Sequence, residues 1–403
     1  MIDRAAHRSL LEQEYRALLP FGSRIVHPDG GAAYLDSAGA PDLERPVYTW
    51  ITARTVHVYS LGLLSGAPEA RRIAEGALAG LTDRLHDPVH GGWFHAVGAD
   101  GAPFVEEGKS AYDHAFVMLA ASSATRAGLP EAQRLLQEAT TVFLERFWSS
   151  ESGRSVDHWD RTWTHLDPYR GLNANMHAVE AMLAVADTLG EPVWRERARR
   201  VVEFVSDLAA EHDARLPEHF DENWCVRLDL NRDHPDDPFK PFGATVGHGF
   251  EWARLLVELA AASGIDPGKT PVVLFDRAVA DGWHVDGAPG FVYTTDWEGR
   301  PVVRDRMHWV AAEALSAASA LYRVTGEPRF AKHYGTWWEY ICAYFVDRDH
   351  GSWHHQLDPS NRPASDVWPG KPDLYHAVQA TLLPRAPLTP SLATAVAEGK
   401  VIG

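Results

Sequence analysis

The sequence predicts an all-α protein, an (α/α)6 barrel of about twelve helices connected by loops that contain short β-hairpins. Two observations favour this fold. Helical patterns follow one another in pairs with a period of roughly 60–70 residues, which is longer than most solenoid repeats. The more apolar, Ala-rich helix of each pair also carries a histidine close to its start. These histidines are His57, His114, His177, His248, His308 and His376.

The helices are expected in order along the chain, bounded by residues that start or stop a helix. Pro46 and Pro68 stand at favourable first-turn positions. The Gly30–Gly31 pair and Pro41 interrupt the chain between the first two helices. The expected helical segments are 6–19, 46–62, 68–86, 109–120, 130–147, 171–183, 192–211, 241–256, 268–282, 305–315, 327–346 and 371–380.

Two loops are expected to contain short β-structure. Residues 87–95 read as a turn followed by strands, and residues 291–303 read as a hairpin. The pattern of Asp87–Trp93 returns at Asp347–Trp353, which indicates a repeated loop. The tail from Pro384 is rich in Pro and Ala, and we expect it to pack loosely.

Amphipathicity assigns the helices to two rings. The second helix of each pair carries more Arg and Glu on one face, which is typical of an outer helix. Six pairs that close on themselves give the barrel, and an open superhelix is the structural alternative. Polar residues at one end of the inner ring need water or a ligand, because burying them unpaired is costly. We therefore expect a pocket at that end, in one domain that spans residues 1–403.

Composition excludes several classes of partner. The formal net charge is -17 in 403 residues, with acidic and basic residues interspersed, so neither nucleic acid nor an anionic membrane is expected as a partner. No apolar run is long enough to cross a membrane, and the start lacks a signal-peptide core. Cys225 and Cys342 offer neither a disulfide framework nor metal-ligand spacing. We expect a cytoplasmic protein and leave open whether it forms a homo-oligomer.

Ten residues near the starts of the inner helices are candidates for lining the pocket. A cation, neutral donors, aromatic planes and histidines together suit a neutral polyhydroxy ligand. His248 and Glu251 stand out because residues three apart share a helix face. A carboxylate beside an imidazole can hold the ring and raise its basicity. The candidates are Trp50, Arg54, Tyr112, Asn173, His177, His248, Glu251, Trp309, Glu313 and His376.

Several candidates also have a purely structural interpretation. Trp50 and Trp309 are equally typical of a hydrophobic core. Arg54 and Glu313 could form a buried ion pair without a chemical role, and Tyr112 is favoured as a hydroxyl donor rather than a catalyst. The two histidines that we expect to be structural are His57 and His114.

Five motifs along the chain are long and far from degenerate. They are Asn231-Arg232-Asp233, Gly247-His248-x-x-Glu251-Trp252, Tyr293-Thr294-x-Asp296-Trp297-Glu298-Gly299, Thr336-Trp337-Trp338-Glu339-Tyr340 and Asp373-Leu374-Tyr375-His376. With these motifs the chain resembles the N-acylglucosamine 2-epimerase superfamily, and most closely its aldose–ketose isomerase branch. The resemblance covers nearly the whole chain. It implies an (α/α)6 barrel, a monosaccharide substrate, and neither a metal nor another cofactor.

The resemblance also implies roles for individual residues. His248 and His376 match the two acid/base residues of the family. The rest of the implied catalytic set is Arg54, His177 and Glu251. Contacts with the sugar are expected from Trp50, Tyr112, Asn173 and Trp309, and the position of Glu313 makes it a further candidate.

Aldose–ketose isomerisation fits what these residues offer. In our hypothesis His248, oriented by Glu251, moves a proton between C2 and C1 of the open-chain sugar through a cis-enediol. His376 assists ring opening and exchanges protons with the sugar oxygens, and Arg54 stabilises the enediolate. The two histidines could be exchanged in this scheme, because the sequence does not decide between them.

The substrate is expected to be an uncharged sugar. A sulfonate calls for basic or amide groups, and in the sulfosugar relatives that the chain resembles such groups lie in the loop before the His248 helix and just before the last histidine. Pro238 and Pro372 stand there and offer no donor, although Lys240 and Lys371 lie beside them. We therefore expect interconversion of D-mannose and D-fructose, with D-lyxose and D-xylulose as a side reaction.

Three alternatives remain open. A sulfoquinovose isomerase remains an alternative because of Lys240 and Lys371. A 2-epimerase acting on mannose, cellobiose or an N-acylated sugar would use the same histidines and return the proton to C2. A glycoside hydrolase on the same barrel would need two carboxylates about 5–9.5 Å apart, and Glu251 with Glu313 is the obvious pair.

Overall fold

Thirteen α-helices occur in residues 2–402, the part of the chain that the computed structural model describes. Single π-helical turns extend α5 and α11, at Phe143–Phe147 and Ile341–Phe345, and 3-10 turns occur at Val105–Glu107 and Leu383–Arg385. The helices are α1 Ala5–Phe21, α2 Thr49–Leu64, α3 Ala70–Thr82, α4 Ala111–Arg126, α5 Ala132–Val142, α6 Leu172–Leu189, α7 Val193–Glu211, α8 Val246–Ser263, α9 Thr270–Gly282, α10 His308–Thr325, α11 Pro328–Tyr340, α12 Tyr375–Leu382 and α13 Leu392–Ala397.

Six of these helices form a closed inner ring. Helices α2, α4, α6, α8, α10 and α12 contact one another in that order, and α12 contacts α2 again. Each outer helix packs on an inner one: α3 on α2, α5 on α4, α7 on α6, α9 on α8, α11 on α10 and α1 on α12. The predicted (α/α)6 barrel is therefore confirmed. No helix within residues 2–402 is both long and apolar enough to span a membrane.

Burial distinguishes the two rings as the sequence pattern predicts. Helix α2 is buried at every position from Thr49 to Gly62, as expected for a helix with neighbours on all sides. Helix α7 instead keeps its Arg and Glu side chains partly or fully exposed and buries a single stripe with a spacing of three or four residues. That stripe is Trp194, Ala198, Val201, Val205, Leu208 and Ala209.

Short strands lie at the loop end of the barrel, where five pairs join distant segments and the others form local hairpins. All pairs are antiparallel: β1–β2, β3–β4, β5–β8, β6–β7, β9–β10, β11–β12 and the three-stranded β13–β14–β15. The two-residue strands are β1 Tyr34–Leu35, β2 Pro41–Asp42, β3 Val47–Tyr48, β4 Ala96–Val97, β5 Lys109–Ser110, β6 Trp148–Ser149, β7 Arg154–Ser155, β8 His158–Trp159, β9 Arg170–Gly171, β10 His219–Phe220, β11 Ala244–Thr245, β12 Thr294–Thr295, β13 Arg306–Met307, β14 Gln356–Leu357 and β15 Pro363–Ala364.

A two-residue strand immediately precedes five of the six inner helices, so these helices begin later than predicted. The starts expected at residues 46, 109 and 305 are at Thr49, Ala111 and His308. The intervening residues pair with a distant loop, a contact that helical patterns in one segment do not reveal. The hairpin predicted within residues 291–303 is confirmed, since Val302 N donates to Thr294 O at 2.9 Å.

The repeated loop motif is built in the same way at both positions. The Lys109 ammonium donates to Asp87 Oδ2 at 3.0 Å and to Gly91 O at 2.5 Å. Lys371 makes the equivalent bonds, to Asp347 Oδ2 at 2.6 Å and to a backbone carbonyl at 2.7 Å. Each lysine thus fastens its loop to the strand or turn before an inner helix.

The C-terminal segment is not loosely packed, and that prediction is wrong. Helix α13 contacts α2, α4 and α6, and it buries Ala393, Thr394 and Ala395. Small residues allow this short helix to approach the ends of three inner helices closely. The Pro- and Ala-rich C-terminal segment therefore closes the barrel at the end opposite the short strands.

Candidate active site

A pocket of about 660 Å³ lies where the inner helices begin. Nine of the ten predicted site residues line it, each within the first two turns of an inner helix. They are Trp50, Arg54, Tyr112, Asn173, His177, His248, Glu251, Trp309 and His376. The lining also includes residues that the sequence analysis did not assign to the site, namely Phe239, Pro241, Tyr293, His308, His355, Trp368 and Asp373.

His248 is held by Glu218 and not by Glu251, so the predicted partner is wrong. His248 Nδ1 lies 2.8 Å from Glu218 Oε1. Glu218 directly precedes strand β10, which pairs with β9 at the start of α6. Glu251 shares the helix face of His248 as predicted, but its carboxyl group lies deeper in the barrel. The Glu218 contact spans 30 positions, and no local spacing in the sequence signals it.

His376 is held in the same manner by Glu313. His376 Nδ1 lies 3.0 Å from Glu313 Oε1, and Arg254 contacts the other oxygen of this carboxylate at 3.2 Å. Burial, together with the nearby Arg54 guanidinium, lowers the pKa of His376 well below its ordinary value. Glu313 is fully buried behind the imidazole and does not line the pocket. Its assignment as a sugar contact is therefore wrong.

The two imidazoles flank one indole. The ring centroid of Trp309 lies 5.2 Å from that of His248 and 5.8 Å from that of His376. In both imidazoles Nδ1 faces a carboxylate, which can only accept a hydrogen bond. Nδ1 therefore carries the proton, and each Nε2 keeps a lone pair. Two imidazole bases thus line a single cavity.

Arg54 is positioned by Asp373 and Tyr112. Its guanidinium donates to Asp373 Oδ2 at 3.2 Å and to Tyr112 Oη at 3.0 Å. The ion pair with Glu313 that we considered does not form. The guanidinium also lies 4.4 Å from the Phe116 ring centroid, so aromatic faces and one carboxylate fix its orientation. Burial raises the pKa of Tyr112 to about 12, so its hydroxyl keeps its proton and can donate.

His177 and Glu251 meet at the floor of the pocket. His177 Nδ1 is 3.8 Å from Glu251 Oε1 and 3.9 Å from Glu180 Oε2. Burial lowers the pKa of His177 to about 4. Burial, followed by repulsion from Glu313, raises the pKa of Glu251 well above its ordinary value. At neutral pH the imidazole is therefore uncharged, and burial favours the protonated form of the Glu251 carboxyl group.

The same three side chains form the closest grouping of metal-ligating atoms in residues 2–402, within 4.8 Å of one another. Burial favours the protonated form of Glu251, which is a poor metal ligand, and Glu180 already accepts hydrogen bonds from Tyr375 and Gln379. We assign no metal to this group, and the metal-free site stays a prediction.

Two further histidines were missed as pocket residues. His308 and His355 stack with ring centroids 3.9 Å apart. Burial lowers the pKa of His308 to about 4 and that of His355 well below its ordinary value, so both are neutral. His308 was recognised as one of the helix-start histidines. His355 lies in a loop, and only its position after the repeated Asp347–Trp353 pattern could have drawn attention to it.

Aromatic side chains cover the pocket. Phe239, from the loop before β11, has its ring centroid 6.3 Å from Trp50, 5.9 Å from Tyr112 and 5.7 Å from Trp368. The neighbouring prolines, Pro238 and Pro372, line the pocket and donate no hydrogen bond.

Lys240 and Lys371, because of which a charged sugar remained a possible substrate, do not line the pocket. Lys371 is buried in its ion pair with Asp347, and Lys240 lies 4.1 Å from the Tyr169 ring centroid.

His57 and His114 have structural roles, as expected. The prediction that His57 lies close to the start of its helix is wrong, because it is in the middle of α2, with Nδ1 2.7 Å from Ser123 Oγ. His114 Nδ1 donates to Ser110 O at 2.7 Å, and its Nε2 accepts from Trp93 N at 3.2 Å. Neither lines the pocket.

Comparisons with known proteins identify the family of this chain. The model of the N-acylglucosamine 2-epimerase family matches residues 30–380. A D-mannose isomerase from Thermobifida fusca is 51% identical over 98% of this chain and 98% of its own length. A D-mannose isomerase from Pseudomonas cannabina pv. alisalensis is 44% identical over 97% and 96%. A crystal structure of a D-mannose isomerase superposes with a TM-score of 0.86 at 26% identity, covering 93% of this chain and 96% of that one. The chain belongs to the N-acylglucosamine 2-epimerase family.

Proposed function

We propose that this protein is an aldose–ketose isomerase that interconverts D-mannose and D-fructose, and more slowly D-lyxose and D-xylulose. One observation carries the proposal: two imidazoles, each held at Nδ1 by its own carboxylate, line one pocket beside an indole. The two relatives described above, both named D-mannose isomerase, support the choice of sugar.

The reaction is a proton transfer within an open-chain sugar. During ring opening the anomeric hydroxyl donates to His376 Nε2, the C1–O5 bond breaks, and the proton passes through this imidazole to O5, so that His376 is neutral again and afterwards exchanges protons with the sugar oxygens. His248 Nε2 removes the proton from C2, which leaves a cis-enediolate, and the same imidazolium returns a proton to C1. Atoms balance, because the proton lost from C2 is replaced at C1 and one proton moves between O2 and O1.

Arg54 and Tyr112 stabilise the charge that develops on the oxygens. Both donate hydrogen bonds, and the guanidinium is already oriented by Asp373. Donors that are fixed before the reaction stabilise an oxyanion without reorganisation. Glu251, whose protonated form is favoured by burial, is a further donor beside His177 at the pocket floor. Trp50, Asn173 and Trp309 supply the remaining sugar contacts in this proposal.

An uncharged substrate suits the pocket. Among the residues within 2–402 that line the pocket, Arg54 is the one Arg or Lys. The Asp373 carboxylate already neutralises this guanidinium. A sulfonate or phosphate would find no uncompensated cation there. The hydrolase alternative loses its carboxylate pair, because Glu313 does not line the pocket.

Incubation of D-mannose in deuterated water, followed by NMR of the product, tests the reaction. We expect D-fructose with solvent deuterium at C1. D-glucose with deuterium at C2 would contradict the isomerase proposal and support the 2-epimerase.

We also propose that the enzyme acts in the cytoplasm. Cys225 and Cys342 are both free, which suits a reducing compartment.

A further inference from the structure

A third imidazole lines the sugar pocket, and the proposed isomerisation gives it no role. His308 begins α10, directly before Trp309, and forms part of the pocket wall. Its ring centroid lies 6.0 Å from that of His376, at an interplanar angle of 84°. His308 also stacks on His355, with ring centroids 3.9 Å apart. The wall next to His376 thus contains a stacked pair of further imidazoles.

The contacts of His308 fix which ring nitrogen carries the proton. Nδ1 lies 3.2 Å from His355 O, and a carbonyl oxygen can only accept a hydrogen bond. Nδ1 therefore carries the proton, and Nε2 keeps a lone pair. Burial lowers the pKa of His308 to about 4, so the ring is neutral near neutral pH and Nε2 remains an acceptor.

His308 Nε2 has no donor in the described chain. It is buried without a hydrogen-bond partner within residues 2–402, on a residue that is 5% exposed. Leaving a buried acceptor unpaired costs free energy. Because the cavity that His308 lines is the sugar pocket, a hydroxyl group of the ligand can supply the missing donor.

The neighbouring acceptors on this wall are already engaged. Asp373 Oδ2 accepts from Arg54 at 3.2 Å, and Asp373 Oδ1 accepts from Tyr375 N at 2.9 Å. Asp373 O accepts from His355 Nε2 at 3.1 Å. His355 O accepts from both Nδ1 and the backbone N of His308. Of these groups, His308 Nε2 is the acceptor that remains for a ligand.

The proposed ring opening indicates which sugar hydroxyl group meets this acceptor. In that step His376 passes a proton to O5, while His248 acts at C2 and C1. O5 and the C6 hydroxymethyl group are both attached to C5, so the C6 hydroxyl group lies beside O5 and away from C2. His308 adjoins His376, the imidazole that meets O5. The C6 hydroxyl group therefore fits the place next to His308.

We propose that His308 determines the preference for a hexose, by accepting a hydrogen bond at Nε2 from the C6 hydroxyl group of D-mannose. This inference rests on the proposed function, because it uses the placement of O5 at His376. D-lyxose is D-mannose without C6, so it leaves Nε2 unpaired, which accounts for its slower conversion. A sulfonate at C6 carries acceptors alone, so it faces this lone pair unfavourably.

Steady-state kinetics with D-mannose and 6-deoxy-D-mannose tests the proposal, because the two sugars differ only in the C6 hydroxyl group. Incorporation of solvent deuterium, at C1 or at C2, counts turnover for an isomerase and for a 2-epimerase alike. The unmodified protein is expected to favour D-mannose by about 10- to 100-fold in kcat/KM. Equal values for the two sugars would overturn the role of His308.

The same experiment separates this role from the proposed function. D-glucose as the product would overturn the isomerase and leave the preference between the two sugars to be read as before. If neither sugar were turned over, the proposed function would fail, and the rise in Tm that each sugar causes would measure the preference instead. Equal rises in Tm would then overturn the role of His308.

Two substitutions locate the acceptor. In His308→Asn the amide can replace the bond from Nδ1 to His355 O, but it places no acceptor where Nε2 stands. The preference for D-mannose is therefore expected to fall to about twofold or less. In His308→Gln the longer side chain carries its amide oxygen to that position, and part of the preference should return.

His165→Asn is the matched control, because it makes the same change at an exposed histidine outside the pocket. It should leave the preference and both rates unchanged. A purely structural role for His308 would lower kcat/KM for both sugars by one factor in His308→Asn, and that result would overturn the proposal. If His308→Asn does not fold, the comparison of the two sugars on the unmodified chain and on His308→Gln still decides it.

Discussion

His248 and His376 occupy equivalent positions, near the starts of α8 and α12, yet their surroundings differ. Each imidazole places Nδ1 on a carboxylate. Glu218, behind His248, forms no ion pair with Lys or Arg in residues 2–402. Glu313, behind His376, is also bound by Arg254, which neutralises much of its charge.

This difference separates the roles that the sequence left interchangeable. An unneutralised carboxylate stabilises the imidazolium that forms when the ring accepts a proton. A carboxylate that is already paired with a guanidinium does so less, and Arg54 disfavours a positive charge on His376 further. We therefore propose that His248 is the base for the carbon-bound proton. His376, which resists protonation, is the better hydrogen-bond partner for the sugar oxygens.

Replacing His248 should have the largest effect. Loss of the general base in His248→Ala is expected to lower kcat by about 10²–10⁴-fold and to abolish deuterium incorporation from solvent into the sugar. Initial rates and NMR in deuterated water measure both. His165→Ala removes an exposed imidazole outside the pocket and should behave like the wild type. Full turnover in His248→Ala would remove the assignment of the base.

Replacing His376 should cost less, about 100-fold in kcat, because ring opening also proceeds without the enzyme. The fructose that His376→Ala still forms should carry deuterium at C1, since His248 remains in place. The comparison of the two alanine variants decides the division of roles. If His376→Ala lost solvent exchange while His248→Ala kept it, the two roles would have to be exchanged.

Helical periodicity was sufficient to predict the barrel and to place most of the site. Its repeat locates the starts of the inner helices, and nine of the ten predicted residues line the pocket for that reason. Periodicity does not report depth along the barrel axis. Glu313 and Glu251 both look inward, but only Glu251 lines the pocket, whereas Glu313 lies behind His376.

Contacts made by loops were beyond the reach of sequence patterns. Glu218 reaches His248 because a two-residue strand pairs with the strand before α6. The order of α13 likewise depends on small side chains meeting three distant helices. In each case the determining interaction joins segments that are far apart in the chain, and no local spacing encodes it.

The two carboxylates offer a direct test of the comparison between the histidines. A hydrogen bond to a charged group contributes about 1.5–3 kcal/mol, so Glu218→Gln is expected to lower kcat by about 10–100-fold. Glu313→Gln should lower kcat by about tenfold or less, because Arg254 already offsets the charge and keeps Glu258 as a partner. Steady-state kinetics on D-mannose measures both values. A larger loss for Glu313→Gln would contradict the proposed division of roles between the histidines.

The smallest effect is expected at the aromatic cover, which both histidines share. Phe239→Ala removes ring contacts of about 0.5–1.5 kcal/mol and should raise the KM for D-mannose by about two- to tenfold with little change in kcat. The uncovered pocket should also accept a disaccharide with mannose at its reducing end. Phe104→Ala is the matched control, because Phe104 is 37% exposed and Phe239 is 36% exposed, but Phe104 lies outside the pocket. A fall in kcat with unchanged KM would mean that Phe239 acts on the histidines themselves and does not merely cover the pocket.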